Sequence, residues 1–498
     1  MKFNKSLLFI TLSSILYSPS FYATTKHSPT NSLITNVLTS KSISKDLNFL
    51  TTVIGGRPTG SSALDSAMQW SLKRFVAEGF THAYLDAYTA PLNWLPNIEI
   101  GEMNSVTPVS SPQTLRVAAL PFSPSTPDTG LEAPVYAISS TNVNEIMDHA
   151  NQIKGHWLLV ATNPMGTVED LFNEYLATPP IFTAAQKVGA IGVLWMSNRN
   201  ERLLYRHNAA LNGSLAPLPA ALIEREGAQN MIQLLESQHP VTFKATLKNI
   251  IQKNPENYNV VAEIKGYEKP DEVIILGAHL DSWDLGQGAL DNGCNAVMVL
   301  DVARSIMALQ QHGFKPRRSI RFMLYSGEES GLYGSWFDVK NHPQKLDKIK
   351  AVIIFDTGSG RTMGFSLGGR SDMQLLVDNA LEPVNQLGPF TQTSDAFYGT
   401  DNFDYLLKGI PTLVANQDPV PYLPSYHAES DTLDKVDFAQ LRNNTVITSV
   451  LTWNLANTDL PFPARQSTEE IKELLISTGL KEQMEIYNIW ESFENGQR

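Results

Sequence analysis

Seven residues of this chain have the types and spacing for metal chemistry: His279, Asp281, Asp291, Glu328, Glu329, Asp356 and His427. His279, Asp281 and Asp291 fall in "HLDSWDLGQGALDNG", Glu328 and Glu329 in "SGEESG", Asp356 in "FDTGSG", and His427 in "YHAESDTLDKV". A single acid at the end of a strand is commonly a cap or a turn residue. Carboxylates at three successive strand ends are another matter, because unpaired they repel and raise one another's pKa. The first three of these stretches contain no lysine or arginine to neutralise them. Divalent cations would. Histidine mixed with carboxylate suits zinc, whereas an all-oxygen set would suit magnesium or calcium. Two histidines and three carboxylates can hold two zinc ions if one carboxylate bridges. The charge agrees with that count: two Zn²⁺, with Asp291, Glu329, Asp356 and one hydroxide, sum to neutral. One zinc would leave the set net negative, a poor setting for a nucleophilic hydroxide.

These residues need elements to hold them. Each acid ends an apolar run: "EVIILGAHLD", "SIRFMLYSGEE" and "AVIIFDTG". With "NVVAEIKG" and "IPTLVAN", and with helical stretches such as "NAVMVLDVARSIMAL" between most of them, the pattern predicts an α/β fold. It would be a mostly parallel mixed sheet flanked by helices, with the polar residues beyond the C-terminal strand ends, where ligands bind. Residues 130–249 have their own pattern of short strands and helices and few clustered acids or histidines. They read as a small α/β module inserted into the larger domain, after a proline- and serine-rich boundary at Thr107 to Gly130. The stretch "PARQSTEEIKELLISTGLKEQMEIYNIWESF" reads as an amphipathic helical tail, a peripheral packing element. The expected division is a signal peptide at 1–23, the first part of the catalytic domain at 24–129, the inserted module at 130–249, the catalytic domain at 250–460 and the tail at 461–498.

Composition narrows the function classes. The 498 residues are 42% hydrophobic and 18% charged, as in a folded globular protein. A net charge of −12 argues against a nucleic-acid partner, which needs basic patches. Lys2 and Lys5 precede a short apolar core at Leu7 to Tyr17, the pattern of a secretory signal and of a secreted or periplasmic protein. No later stretch has the roughly 18 continuous apolar residues of a membrane span. Cys294 is the only cysteine, so no intramolecular disulfide is available.

In their order along the chain, "HLDS…ALDNG", "SGEESGLYGS", "FDTG", "GTDNFDYLLKGIP" and "YHAESDTLDKVD" resemble the co-catalytic (dinuclear) zinc exopeptidases, and most of all their plasma glutamate carboxypeptidase branch. The resemblance is strong from Asn259 to Asp437. It implies a zinc exopeptidase fold, with His279 and Asp356 on one zinc, Glu329 and His427 on the other, and Asp291 bridging. It further implies that Asp281 orients His279 and that Glu328 is the general base. The implied function is a secreted enzyme that hydrolyses small peptides or dipeptides by a metal-bound hydroxide; relatives include homodimers. Aminopeptidase, carboxypeptidase and dipeptidase action are all compatible with these motifs. "IKGHWLLV" and "AAQKVGAIGVLWM" resemble a protease-associated domain, expected to act as a lid that affects substrate range more than metal content.

Asp401 fits the family's Ser/Thr-Asp pattern before "GIP", but Asn402 stands where an aromatic residue or histidine is usual. Tyr422 and Tyr426 are candidates for stabilising an oxyanion. Asp284 and Asp301 read as structural acids, Glu382 and His342 as surface residues, and Cys294 as a small packed residue. The alternative functions are a glutaminyl-cyclase-like acyltransferase with one zinc, a non-catalytic receptor-like relative, and a metallo-phosphatase.

Overall fold

A computed structural model describes residues 28–105 and 112–498; the signal expected at the N-terminus lies outside the described residues. A seven-stranded sheet forms the first layer system. Its order is Ala83–Thr89, Glu256–Ile264, Arg318–Tyr325, Lys269–His279, Ile349–Ile354, Thr412–Gln417 and Thr362–Ser366. The four strands from Arg318–Tyr325 to Thr412–Gln417 run parallel, and the pairings outside them are antiparallel. These central strands read as unbroken apolar runs because both faces are covered. Along Lys269–His279, Ile274, Leu276 and Ala278 enter the core on one face, while Val273 and Ile275 enter the core on the other. The helices Cys294–Gln311 and Phe438–Asn457 supply much of the first core, and Val339 and Tyr405, from the helices Tyr333–Asn341 and Phe403–Leu407, join the second.

The chain leaves this sheet after Thr89 and returns at Glu256. Between them an eight-stranded sheet forms, with the long antiparallel pair Leu92–Ser105 and Val241–Lys253 leading out and back. Leu131–Ile138, Trp157–Val160, Gly192–Met196 and Ala220–Ile223 make its parallel part. This sheet takes strands from before residue 130 as well, Val117–Ala119 among them.

Its longest helix, Val168–Val188, exceeds the short one legible in "FTAAQKVGA". A capping box of Thr167 with Asp170 starts it, and Gly189 in a left-handed conformation ends it. Pro179 and Pro180 lie inside it. Such a pair lacks two helical donors and normally marks a break, which conceals the helix upstream.

The tail is more than peripheral. Its helices Thr468–Ser477, Leu480–Ile486 and Trp490–Glu494 pack around Phe403, Leu406 and Leu407. Arg498, buried, donates to both oxygens of Asp404 at 2.9 and 3.1 Å. No helix among the described residues is long and apolar enough to cross a membrane.

Candidate active site

The strand order explains how the acids meet. Lys269–His279 lies between Arg318–Tyr325 and Ile349–Ile354, so three parallel strands end side by side. The first ends at His279, Glu328 and Glu329 follow the second, and Asp356 follows the third. Asp291 sits in the turn that opens Cys294–Gln311, and His427 comes from a loop after the strand Thr412–Gln417. His279 Nε2 is 2.8 Å from Asp356 Oδ1 and 3.3 Å from Asp291 Oδ1. His427 Nε2 is 2.8 Å from Glu329 Oε2 and 3.3 Å from Asp291 Oδ2. Asp291 therefore faces a different histidine with each oxygen. Glu328 Oε2 stands 3.9 Å from His279 Nε2.

Asp281 is fully buried and makes two sets of contacts. Its main-chain oxygen faces His279 Nδ1 at 3.0 Å, with its carboxylate Oδ1 behind at 3.6 Å. Its Oδ2 accepts from the Thr59 hydroxyl at 2.7 Å and from the Glu329 amide at 3.3 Å. The ring of His279 is thus held from Nδ1 and turns Nε2 into the cluster, the arrangement a metal-binding imidazole needs.

Burial, reinforced by Asp356 and Glu329 against the pull of His279, raises the Glu328 pKa well above the glutamate range. Burial and Asp291 raise Glu329 likewise, and burial raises Asp356. Burial works against a charged His279, but Asp356 and Glu328 outweigh it and hold its pKa well up. Burial lowers His427 to about 4. Protein groups alone leave this cluster under strong charge repulsion. Glu329 Oε1 and Asp281 Oδ1 are buried with no hydrogen-bond partner among the described residues. A buried, unpaired carboxylate oxygen is costly, and here it belongs to a set of metal-type donors.

Two further residues hold the loop of residues 280–293, and the sequence reading did not single them out. Arg57, from the "GGRPTG" turn, is fully buried; it donates to the main-chain oxygens of Leu280, Gln287 and Gly288 at 2.5, 3.0 and 2.8 Å. Burial lowers its pKa to about 10. Gly288, at φ +59, lies so close that a Cβ would come within 2.2 Å of the Ser282 hydroxyl and 2.7 Å of Arg57. Asp431 accepts from the amides of Leu290 and Asp291 at 2.7 and 3.1 Å. It lies within the quoted "YHAESDTLDKV" motif, four residues past His427, which was the available signal.

The remaining candidates divide. Tyr422 donates to Asp291 Oδ2 at 2.9 Å, so its hydroxyl is committed to the cluster. Tyr426 meets the Tyr175 hydroxyl at 3.0 Å, across from the helix Val168–Val188. Asp401 is buried and does not line the cavity described next. Asp301 is buried against Arg304 rather than solvated, and Asp284 pairs with Arg206. His342 is half-buried, with Nδ1 3.3 Å from Asp338, so it is not a plain surface residue. Cys294 is packed, its thiol 3.4 Å from the Leu290 carbonyl oxygen.

A cavity of about 410 Å³ opens beside the cluster. Asp291, Glu328, Glu329, Asp356 and His427 form its floor. The second unit contributes Phe172 and Tyr175 to its walls, and the tail contributes Gln483 and Tyr487. Among the described residues that line it, none is lysine or arginine, while Asp395 stands at its side.

Comparison with known proteins gives matches of different extents. Residues 259–452 match the model for Peptidase family M28. The chain is 26% identical over 422 residues to mouse carboxypeptidase Q, covering 84% of this chain and 86% of the relative. A crystal structure of a Peptidase M28 precursor from Shewanella amazonensis superposes with a TM-score of 0.76 at 26% identity, over 88% of this chain and 98% of that one. BSAP, a zinc aminopeptidase from Bacillus subtilis, shares the fold with a TM-score of 0.66 at 18% identity, over 85% and 97% of the two chains. The segment similar to Peptidase family M28, residues 259–452, contains every strand end and loop that brings the seven side chains together.

Proposed function

We propose that the protein is an exported, zinc-dependent exopeptidase that holds two zinc ions and acts on short peptides with a free amino terminus. The observation that carries the two-ion reading is Asp291, whose oxygens face His279 and His427 at 3.3 Å each. His279 and Asp356 would hold one ion and His427 and Glu329 the other, with Asp291 shared. The unpaired Glu329 Oε1 and the lack of a cationic side chain in the cavity lining fit that assignment. Zinc bound there would supply the acidity that makes water a nucleophile near neutral pH and the positive charge that polarises a peptide carbonyl. Glu328 is left as the general base: it is buried against His279 but outside the proposed ligand set. A carboxylate with a raised pKa is suited to take a proton from water and return it to the leaving amine. Export is inferred from the N-terminal sequence pattern, and the second unit is read as a protease-associated lid.

The direction of attack rests on the cavity's charge. A carboxypeptidase must pair its substrate's terminal carboxylate, usually with arginine or lysine. The lining offers neither, while Asp395 can pair an ammonium group. On dipeptides and short peptides with a large apolar first residue, N-acetylation is expected to lower kcat/KM by roughly 10–100-fold, the scale of a lost charge-assisted hydrogen bond. Amidation of the C-terminus is expected to change it far less. Hydrolysis of acetylated substrates with loss of amidated ones would reverse the assignment.

Phe172 and Tyr487 both line the cavity and would favour an apolar side chain. Replacing either by alanine is expected to raise KM for large apolar residues roughly tenfold, since apolar contacts of this size discriminate by about 1–3 kcal/mol. Zinc content should stay the same. Equal losses for small and large first residues would remove these rings from the specificity pocket.

The one-zinc acyltransferase reading would leave either His279 or His427 without a metal role, and metal counting separates the two. A receptor-like relative would have lost ligand-type residues, and all are present.

A further inference from the structure

The second unit touches the metal-type residues by more than a lid. Its segment between the strands Gly192–Met196 and Ala220–Ile223 runs back to the His427 loop and pairs with it. The Arg206 amide donates to the His427 carbonyl oxygen at 3.0 Å, and the Glu429 amide donates to that of Leu204 at 3.1 Å. Tyr205 and Ala428 form an antiparallel bridge between them. This short ladder holds His427 at φ +57, a left-handed conformation that a residue with a Cβ adopts only when its surroundings impose it. The same ladder brings the Arg206 carbonyl oxygen to 3.2 Å from His427 Nδ1. A neutral imidazole with its proton on Nδ1 donates to that oxygen and leaves the Nε2 lone pair facing Glu329 and Asp291.

The Arg206 side chain explains why its carbonyl stays in place. The guanidinium is fully buried and donates to Glu99 at 2.5 and 3.1 Å and to Asp284 at 2.9 and 2.7 Å. A fifth bond reaches the Ala119 carbonyl oxygen at 2.9 Å. Glu99 and Ala119 belong to the second sheet, while Asp284 lies in the loop that begins at His279. One planar cation thus ties two strands of the second unit to the loop carrying the other half of the cluster. Lysine, a point donor on a flexible stem, cannot make both bidentate pairs.

We propose that Arg206 is a positioning residue of the metal centre: its carbonyl fixes the ring of His427, and its guanidinium fixes that carbonyl by clamping Glu99 to Asp284. This rests on the two-zinc reading above. It gives the second unit a part in metal binding in addition to any part as a lid. A lid that only covers substrate would leave metal affinity unchanged.

The test is titration of metal-free protein with zinc in competition with a chromophoric chelator, alongside circular dichroism to monitor folding. Arg206→Gln is expected to weaken one of two zinc sites by at least tenfold and to leave the other near the wild-type value. Arg206→Lys should fall between the two, and Asp284→Asn should weaken the same site by a smaller factor. Cobalt in place of zinc should show the altered site as a changed visible spectrum. If folded Arg206→Gln binds both ions as tightly as the parent, the proposal is overturned. Should that variant not fold, Asp284→Asn and Glu99→Gln decide, and parental affinity in both overturns it equally. Absence of tight zinc binding by the parent protein would instead sink the two-zinc reading, and this inference with it.

Discussion

Glu328→Gln is expected to lower kcat by at least about 10²-fold while leaving zinc content unchanged. The amide keeps the size and polarity of the side chain but cannot accept a proton, and general-base catalysis contributes at about this scale or above. Glu328 is buried beside the cluster, 3.9 Å from His279, and burial keeps its pKa raised. KM should move much less than kcat, because the lost interaction acts in the transition state. The neighbouring change, Glu329→Gln, should behave differently. Glu329 Oε2 lies 2.8 Å from His427 Nε2, and its other oxygen has no partner among the described residues. A neutral amide is a weak zinc donor, so zinc should be lost from one site and activity should fall with it. Loss of zinc from Glu328→Gln together with full zinc in Glu329→Gln would exchange the two roles. Full turnover by Glu328→Gln would show that no base is needed from this pair.

Removal of metal should have the larger effect. Dialysis against a strong chelator is expected to take hydrolysis to background, and zinc should restore it, saturating at about two ions per chain if the two-zinc reading holds. The reason lies in the charge of the cluster. Asp291, Glu328, Glu329 and Asp356 crowd two histidines, and among the described residues no lysine or arginine lines the cavity. Asp291→Ala should weaken both ions, because each of its oxygens faces a different histidine. Full activity at one ion per chain would refute the dinuclear reading. Activity unaffected by chelation would remove metal from the function altogether.

Much of the seven-stranded sheet and its strand-end cluster is readable without coordinates. Strand ends announce themselves locally: an apolar run buried on both faces stops where acid begins, as in "EVIILGAHLD" and "AVIIFDTG". Parallel strands end on one side of a sheet, so His279, Glu328, Glu329 and Asp356 had to meet once those runs were parallel neighbours. His427 and Asp291 were legible by motif. Asp281 was legible by motif as a neighbour of His279, although its main-chain oxygen, not its carboxylate, makes the closer contact. The long helix of the second unit was partly hidden, because Pro179 and Pro180 contradict helix locally and packing overrides them.

By itself, then, the sequence determined that this chain builds an α/β sheet whose strand ends collect histidine and carboxylate. Periodicity and strand termination are properties of neighbouring residues. The tertiary structure alone decided what surrounds that collection. Phe172, from the helix Val168–Val188, and Tyr487, from the tail, both line the cavity. Arg57 crosses 231 residues to hold Gly288. Arg206 crosses 221 to hold His427. Such contacts have no local signature: a buried arginine among main-chain oxygens or paired acids looks, in one dimension, like any surface arginine. Only tertiary packing, which buries these guanidiniums against segments distant in sequence and makes their hydrogen bonds obligatory, separates one from the other.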